Sequence, residues 1–492
     1  MGQSLQQRHH RQQDFEQFAG RLQQDLQDLA QLLAEPGWGN APATLGAELE
    51  FYLTDDQQRP MMANQALLSA ADDPLLTPEL NRFNLEFNCP YTLCRGQPFH
   101  QLSQLIQQKH QQLRQLAAPM GCQVSAIGIL PTLTRADFGL DSMTDEPRYH
   151  RLTEQLSQQR GGPFQINING AEPLQITADD MTLEGANTSL QLHLRVAPSE
   201  FAARYNAIQL ATPFALALAA NSPLFLGHKL WHETRIPLFK QSIDSRNLCN
   251  TGWKRPARVS FGKGYVRHSA LELFRQGASL FPILLPEPES SLHRPDQGPA
   301  LSALRLHNGT VWSWNRPVYD PADGGHLRIE LRSLPAGPTP QDMMANAALV
   351  LGLSQALLPQ LDQLLDALPF EFAEYNFYRA AQFGLNAKLL WPNARGTLTE
   401  TPLTALLPDM LARAGLGLRQ MGIDAEDSAP LLALLSQRLA SGQTGAVWQT
   451  RTLDALQAQC GERRQALAQM FTLYQQHADR AQPVGLWEIP TS

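Results

Sequence analysis

The segment Leu45-Gly-Ala-Glu48-Leu-Glu50-Phe-Tyr-Leu53 alternates carboxylates with apolar residues. In a β-strand successive side chains point to opposite faces, so Glu48 and Glu50 share one face while Leu49 and Phe51 share the other. Carboxylates are rarely buried in a core strand without a compensating charge. The alternation therefore predicts a strand with one apolar face toward the core and one acidic face that requires a cation.

A second acidic segment follows, Glu79-Leu-Asn-Arg-Phe-Asn-Leu-Glu86-Phe-Asn88, and Glu86 lies inside another apolar, strand-like run. Carboxylates that converge on one pocket repel each other unless cations hold them together. Hard cations with oxygen ligands, Mg²⁺ above all, meet that requirement. The two segments together predict a magnesium site.

Two later segments also alternate polar with apolar residues. They contribute Gln191, His193 and Arg195 from one strand, and Arg328, Glu330 and Arg332 from another. Each strand alone is most simply a solvated strand face, and His193 alone is most simply a hydrogen-bonded histidine. The recurrence of the pattern in four segments favours one shared polyphosphate site, in which acids and a neutral imidazole bind Mg²⁺ and guanidinium groups hold phosphate oxygens.

Composition indicates an ordinary globular protein rather than a disordered one. Of the 492 residues, 43% are hydrophobic and 17% are charged. Lys and Arg number 39 against 46 Asp and Glu, and 39 − 46 = −7. This mild acidic balance, without a basic patch interleaved with aromatics, gives no footprint for a nucleic-acid partner.

The chain also shows no sign of a secreted or membrane-bound protein. Its first ten residues are polar and cannot serve as a signal peptide. The apolar stretch 207–226 is interrupted by Pro213 and Pro223, which predicts a buried helix rather than a membrane span. Five scattered cysteines without a CxxC pair indicate reduced thiols. We expect a soluble, cytoplasmic protein.

Periodicity divides the chain into three regions: 1–40 with an amphipathic Gln-rich helix, 41–340 with strands and helices, and 341–492 with helices. Predicted strands cover 46–53, 83–88, 124–130, 164–168, 188–196, 302–305, 311–314 and 326–333. Predicted helices cover 14–35, 101–118, 200–220, 343–367, 377–383, 403–414, 429–440 and 452–478. Few strands follow a strand–helix–strand rhythm, so we expect an α+β fold with a mainly antiparallel sheet and a helical C-terminal part.

Five short motifs, in this order along the chain, resemble the glutamate–cysteine ligase family of carboxylate–amine ligases. They are Gly46-Ala-Glu-Leu-Glu50, Leu85-Glu86-Phe-Asn, Gln191-Leu-His193, Ala219-Ala-Asn-Ser-Pro223 and Arg328-Ile-Glu330-Leu-Arg332. The stretch His307-Asn-Gly-Thr-Val-Trp312-Ser-Trp-Asn-Arg316-Pro is similar to a further family motif. The likeness covers roughly residues 44 to 335. It implies a catalytic sheet like that of glutamine synthetase.

The resemblance also implies ATP, two or three Mg²⁺ ions (or Mn²⁺) and a role for each matching residue. Glu48, His193 and Glu330 would hold one metal, and Glu50, Glu79 and Glu86 another. Arg332, with Arg316 and Arg328, would neutralise the transferring phosphoryl group. Arg235 and Gln191 would bind the substrate, Arg235 through a carboxylate.

The activity that the resemblance implies is amide formation between an amino-acid carboxylate and an amine through an acyl phosphate. The glutamate side chain is the expected donor, whereas cysteine, another amino acid or a different amine could be the acceptor. Two other interpretations stay open: a phosphotransferase of the guanidino-kinase type on the same sheet, and a nucleotide-binding regulatory protein without turnover. The N-terminal helix leaves a homo-oligomer possible.

Overall fold

A computed structural model of the chain describes residues 11–246, 255–287 and 297–490. Its main sheet has seven strands, all paired antiparallel, in the order β10-β11-β7-β1-β3-β2, with β4 paired to β1. These strands are β1 Thr44–Thr54, β2 Leu76–Pro78, β3 Asn84–Leu93, β4 Gln123–Ser125, β7 Leu190–Val196, β10 Asn315–Asp320 and β11 His326–Leu331. The predicted α+β class with an antiparallel sheet is confirmed.

Three two-stranded hairpins lie outside the main sheet. They pair β5 Phe164–Ile168 with β6 Leu174–Ala178, β8 Leu224–Phe225 with β9 His228–Lys229, and β12 Lys388–Pro392 with β13 Leu398–Pro402. The predicted strand at 164–168 is therefore a strand, but it does not belong to the sheet that carries the acidic residues.

The helices in the described part of the chain are mostly long, and nine of them end by residue 357. They are α1 Gln12–Ala34, α2 Asn64–Ala71, α3 Pro98–Ala117, α4 Pro147–Arg160, α5 Phe201–Ala219, α6 Arg235–Ser242, α7 Ala270–Leu280, α8 Ser302–Asn308 and α9 Pro340–Leu357. The remaining six are α10 Leu361–Ala367, α11 Phe370–Phe383, α12 Leu403–Gln420, α13 Ala425–Ser441, α14 Gly445–Cys460 and α15 Arg463–Asp479.

The apolar face of the sheet is covered by α3, which contacts β1, β3 and β4. The ring of Phe51 stacks on His110 of α3, with ring centroids 5.4 Å apart. Leu49 and Phe51 are buried, as the alternation predicts. Helix α9 packs on α3, α5 and α12, so the C-terminal helices extend the same core. The acidic face of β1 is consequently directed away from this helical layer.

The structure differs from the sequence-based expectation near the end of the sheet. Residues 302–305, predicted as a strand, form the first turn of α8, because a short apolar run does not distinguish strand from helix and this one packs on α1 and α7. Residues 311–314 are not a ladder strand; Trp312 and Trp314 donate backbone hydrogen bonds to Arg258 and Ser260. The strand is β10, whose Pro317 is tolerated because β10 is an edge strand.

Other differences concern where elements end. The strand predicted at 124–130 stops at Ser125, since the following backbone carbonyls of Ile127 and Gly128 accept hydrogen bonds from Thr188. The helix predicted at 452–478 is divided into α14 and α15 at Gly461, whose φ of 73° favours glycine. The helical last third is also interrupted by the β12–β13 hairpin, which turns at Asn393 and Gly396.

One described helical stretch, 340–367, is long and apolar enough to cross a membrane by length and composition. Its apolar window is 72% buried inside the protein, which is typical of a core helix. The buried helix predicted for 207–226 is α5 as far as Ala219, and most of α5 is inaccessible to solvent. The prediction is wrong for the end of that stretch, where Leu224 and Phe225 form β8. The four described cysteines, Cys89, Cys94, Cys122 and Cys460, are free thiols, as predicted. Cys249 and the N-terminal decapeptide lie outside the described residues.

Candidate active site

The strand register brings the polar residues of four strands onto one face of the sheet. Glu330 of β11 lies opposite His193 of β7, and His193 lies opposite Gly46 of β1. Two residues further along β1, Glu48 lies opposite Gln191 of β7. Two residues beyond that, Glu50 lies opposite Glu86 of β3, on the other side of β1. Two groups of possible metal ligands result from this register, side by side on the face away from α3.

The first group consists of Glu48, His193 and Glu330, each of which offers a ligand atom within 4.8 Å of the others. His193 Nε2 lies 3.1 Å from Glu48 Oε1. Neither imidazole nitrogen makes a hydrogen bond of acceptable geometry within the described part of the chain, although both are buried. A buried imidazole whose nitrogens make no well-aligned hydrogen bond is consistent with a nitrogen that is left available for a metal ion.

Neighbouring side chains keep the acids of this group ionised. Burial alone would raise the pKa of Glu48, but the adjacent His193 outweighs burial and lowers it to about 2. Glu330 is 1% exposed, and burial is again outweighed, here by Arg316, Arg332 and His193, so its pKa lies well below the usual value. The first group therefore presents two carboxylates as anions at neutral pH.

The second group consists of Glu50, Glu79 and Glu86, whose offered oxygens also lie within 4.8 Å of one another. Neutral donors fix these carboxylates in place. Glu50 accepts hydrogen bonds from the Ser189 N–H at 2.8 Å and from Gln191 Nε2 at 2.9 Å. Glu86 accepts from Thr77 Oγ1 at 3.0 Å and Asn88 Nδ2 at 2.9 Å.

The negative charge of the second group is not balanced by the protein. Burial raises the pKa of Glu86 to about 7, and Glu48 adds to the shift. Burial, reinforced by Glu86 and Glu50, raises the pKa of Glu79 well above its usual value. Burial also raises the pKa of Glu50, although Arg332 opposes it. Ionising all three carboxylates together therefore carries an energetic cost that a divalent cation would remove.

The donor sets fit metal binding in both groups. Three carboxylates with satisfied neutral hydrogen bonds suit Mg²⁺ or Mn²⁺ in the second group, and two carboxylates with an imidazole suit either ion in the first. In the first group Glu330 also accepts two hydrogen bonds from Arg316, at 2.7 and 3.0 Å, and one from Arg332. These contacts hold the carboxylate in place while leaving it further acceptor capacity.

Two cavities meet at these groups. The first cavity, of about 360 Å³, contains Glu48, His193 and Glu330 together with aromatic and cationic side chains. The aromatic rings belong to Tyr91, Phe274 and Tyr319, and the guanidinium groups belong to Arg148, Arg305, Arg316 and Arg328. Apolar rings beside several guanidinium groups are chemically suited to a nucleotide, which combines a flat base with phosphates.

The second cavity, of about 390 Å³, contains Glu50, Glu79 and Glu86 and is also lined by Gln191 and Arg332. Glu48, Arg148, Gly309 and Arg316 line both cavities, so the two spaces adjoin. A ligand in the second cavity would lie next to the phosphate end of a ligand in the first. This arrangement suits the transfer of a group between two bound molecules.

Arg328 and Arg235 are placed differently from the other predicted residues. Arg328 lines the first cavity but pairs with Asp320 at 3.1 Å. Arg235 lines neither cavity, is 2% exposed and pairs with Glu233 at 3.0 Å while donating to the Ser333 carbonyl. Its guanidinium is therefore occupied inside the core. The structure does not bring Arg235 together with the site.

Three residues that sequence reasoning did not select also line the cavities: Arg148, Glu184 and Trp312. Arg148 is in the first turn of α4, and no described residue accepts a hydrogen bond from its guanidinium. Burial lowers the pKa of Arg148 and raises the pKa of Glu184 to about 8, in the latter case with Glu50 contributing. Pro147 favours the first turn of a helix and could have indicated α4, but nothing in the local sequence indicates that this helix begins beside the two cavities.

Comparison with known proteins supports the relationship that the motifs indicated. A family model described as glutamate-cysteine ligase family 2 matches residues 44–469. A search of curated proteins returned no significant match. The resemblance proposed from the sequence is confirmed by the family match, which spans most of the chain.

Among solved structures, a glutamate–cysteine ligase from Francisella tularensis in complex with AMP is similar in fold. It has a TM-score of 0.51 and 12% identity, with 92% of this chain and 90% of that chain covered. A bifunctional glutathione synthetase from Pasteurella multocida gives a TM-score of 0.48 and 13% identity, with 95% of this chain and 55% of that chain covered. The Francisella tularensis structure shares the overall fold of this chain, in agreement with the predicted α+β class.

Proposed function

Since the chain belongs to glutamate–cysteine ligase family 2, whose model it matches over residues 44–469, we propose that it is an ATP-dependent carboxylate–amine ligase. The proposed donor is an amino-acid carboxylate, first of all the side chain of glutamate, and the acceptor is an amine. One observation supports this function most strongly: two groups of metal-type ligands lie at the junction of two cavities.

In this proposal ATP occupies the first cavity, with its base near Tyr91, Phe274 and Tyr319 and its phosphates toward Glu48 and Arg316. The donor carboxylate occupies the second cavity beside Glu50, Glu79 and Glu86. Glu48, His193 and Glu330 would hold one Mg²⁺ and the other three acids a second. When bound, these ions would neutralise the phosphate oxygens and orient the donor carboxylate.

The reaction needs activation because a carboxylate is a poor acyl donor, whose leaving group would be oxide. In the proposed first step a carboxylate oxygen attacks the γ-phosphorus of ATP, the bond to ADP breaks, and an acyl phosphate forms. The amine nitrogen then attacks the acyl carbon, the bond to phosphate breaks, and the ammonium hydrogens that the amide does not retain pass to phosphate and solvent. No covalent protein nucleophile is required.

The cationic side chains have roles in the transfer step. Arg148 and Arg316 line both cavities, so both side chains lie where the γ-phosphoryl group would pass. Arg332 donates to Gln191 and Glu330 and lines the second cavity. We assign Arg148 to direct contact with the transferring group, because it has no partner among the described residues. Arg316 and Arg332 also orient Glu330.

We propose a cytoplasmic location and small-molecule partners for this protein. A cytoplasmic location agrees with the free thiols of the described cysteines, and small molecules are the proposed partners. A homo-oligomer stays a prediction. The division of the chain at residues 40 and 340 also stays a proposal.

The experiment that tests the function is ADP release by purified protein with Mg²⁺, ATP and a panel of amino-acid carboxylates, glutamate first. Each carboxylate is offered with an amine panel that includes cysteine, and the products are identified by mass. A condensation product formed in proportion to ADP would support the ligase. A phosphorylated acceptor would favour the phosphotransferase, and ATP binding without any turnover on the panel would favour the regulatory protein.

A further inference from the structure

We infer that the amine acceptor of this enzyme has an apolar body and no carboxylate, and that Glu184 holds its ammonium group. The inference rests on the proposed ligase function, because it concerns the second substrate of that reaction. Three features of the second cavity carry it: an apolar wall, a carboxylate without a partner, and a shortage of available cations.

An apolar wall forms part of the lining of the second cavity. It is formed by Leu152 of α4, Met181, Phe239 of α6, Ile243 and Trp312. Phe239 packs edge-on against Trp312, with ring centroids 6.4 Å apart, which fixes the orientation of both rings. A substrate that binds against this wall replaces contact with water by contact with aromatic and aliphatic carbon. The favourable free energy of binding therefore increases with the apolar area that the substrate buries.

Glu184 supplies the polar contact on this side of the cavity. Its carboxylate lines the cavity and accepts no hydrogen bond from any described residue, whereas the backbone of Glu184 is bonded to Met181 and Asn187. The Glu184 carboxylate interacts electrostatically with Glu50, Glu79 and Arg332, so it lies near the acids of the second group, where the donor carboxylate is proposed to bind. An ammonium held there would have its nitrogen near the donor carboxylate that it must attack.

Among the described residues, the cations that line the cavity do not provide for a second carboxylate. Three arginines line it among the described residues, and two of them already bind protein groups: Arg316 contacts Glu330, and Arg332 contacts Gln191 and Glu330. Arg148 alone has no partner in the described part of the chain. The phosphoryl group or the α-carboxylate of a donor amino acid needs that guanidinium. A carboxylate on the acceptor would face Glu146 and Glu184 instead, which is unfavourable.

The test separates the acceptor from the ligase reaction by trapping the activated donor with hydroxylamine. Hydroxylamine is small and needs neither the wall nor Glu184, so hydroxamate formation from glutamate and ATP reports donor activation alone. If no carboxylate of a broad panel yields a hydroxamate, the proposed function itself fails. If hydroxamate forms, the acceptor rule is tested by itself.

Amines are then offered in pairs that differ only by a carboxylate: cysteamine and cysteine, isoamylamine and leucine, phenethylamine and phenylalanine. We expect kcat/KM to be at least about tenfold higher for the decarboxylated member of each pair, since an unpaired carboxylate in a cavity is strongly rejected. We also expect kcat/KM to rise with apolar size among the three amines. Equal or better use of the amino acids, with hydroxamate formed normally, would overturn the inference while leaving the ligase intact.

Two variants address Glu184 directly. Burial raises the pKa of Glu184 to about 8, and a bound ammonium would favour its ionised form. Glu184→Gln keeps the shape of the side chain, and we expect the ratio of amide to hydroxamate to fall at least about tenfold because the ammonium then has no carboxylate to pair with. Glu154→Gln, on the outward side of the same α4 helix that carries Leu152, is the matched control and should leave that ratio unchanged. An unchanged ratio in Glu184→Gln would remove Glu184 from the acceptor site.

Discussion

Arg316 of β10 holds both carboxylate oxygens of Glu330 on β11, the residue directly opposite, through hydrogen bonds of 2.7 and 3.0 Å. Such a bidentate pair fixes the plane of the carboxylate. The same carboxylate faces His193 in the next strand and belongs to the first group of metal-type ligands. One edge strand therefore controls the geometry of a residue that the proposed reaction requires.

Glu330→Gln tests the role of that carboxylate. We expect at least about a 100-fold loss in kcat, because a charged ligand beside the γ-phosphate is removed. The variant should still fold, but its melting temperature should decrease because Arg316 and Arg332 lose an ionised partner. Steady-state kinetics and circular dichroism give both readouts. Turnover near that of the parent protein would contradict the assignment of a metal to this group.

The second group predicts that stability depends on pH and on Mg²⁺. Burial raises the pKa of Glu86 to about 7 in the folded protein, whereas its ordinary value is 4.5. The protonated carboxyl therefore contributes fully to the free energy of unfolding below about pH 4.5, and this contribution is lost as the pH rises through about 7. In metal-free buffer this loss is on the order of 3 kcal/mol. The increase in melting temperature that Mg²⁺ produces should therefore be larger at about pH 8 than at about pH 5.5.

Glu86→Gln provides the matched test of that prediction. A neutral amide avoids the buried charge, so the variant should melt at a higher temperature than the parent protein in metal-free buffer at about pH 8. It should also lose most of the Mg²⁺-induced increase. Scanning fluorimetry measures both quantities, and a variant that melts lower without metal would show that the three carboxylates are not mutually destabilising.

Arg148 is expected to affect turnover rather than folding. Arg148→Gln removes the guanidinium without a partner at the junction of the cavities, and we expect kcat to fall by about 100-fold or more with a small change in melting temperature. Arg151→Gln on the same helix is the control, since Arg151 pairs with Glu154 and lines neither cavity. Equal effects of the two substitutions on kcat would remove Arg148 from the reaction.

Arg235 is expected to behave in the opposite way. Its substitution by alanine leaves Glu233 buried and unpaired, which costs about 3–5 kcal/mol of stability. In the protein that remains folded we expect the KM for the carboxylate to be unchanged. The double variant Glu233→Gln, Arg235→Met should regain part of the stability because neither charge is left alone. A raised KM at normal stability would restore Arg235 as a substrate ligand.

Tyr91 tests the assignment of the first cavity to the nucleotide. The side chain is 66% exposed at the cavity, where a base could cover it. Tyr91→Ala should raise the KM for ATP by roughly 3- to 10-fold through lost stacking, with the KM for the donor unchanged. Leu93→Ala, on the same strand at 44% exposure and outside the cavity, is the control. A selective change in the donor KM would exchange the two cavities.

The acidic face of the sheet could be predicted from the sequence because a strand repeats every two residues. Glu48 and Glu50 alternate with Leu49 and Phe51 without interruption, so the pattern specified both the strand and its buried side. The same rule predicted that His193 and Glu330 project from their strands. The register that makes them neighbours across β7 and β11 is a tertiary feature, and it was inferred only through the family resemblance.

The residues that are proposed to bind the amine acceptor could not be predicted in this way. Glu184 follows β6 in a short 3₁₀ turn, and Trp312 lies in extended chain that pairs with residue 258 rather than with the sheet. Neither residue lies in a segment with the periodic pattern of a strand or a helix, so no pattern in the sequence indicates where its side chain points. Arg235 was selected from a motif, but the sequence does not distinguish an arginine that binds a ligand from one that pairs with a buried glutamate, as Arg235 does with Glu233.

The most direct measurement of the central claim follows oxygen from the donor carboxylate. Glutamate labelled with ¹⁸O in its side-chain carboxylate, or the carboxylate that gives the highest ADP release, is incubated with ATP, Mg²⁺ and hydroxylamine. The account predicts that each phosphate released carries one labelled oxygen, because the carboxylate attacks the γ-phosphorus and leaves that oxygen behind when the amine displaces phosphate. Phosphate free of label, formed at the same rate as ADP, would contradict activation of the carboxylate and with it the proposed ligase.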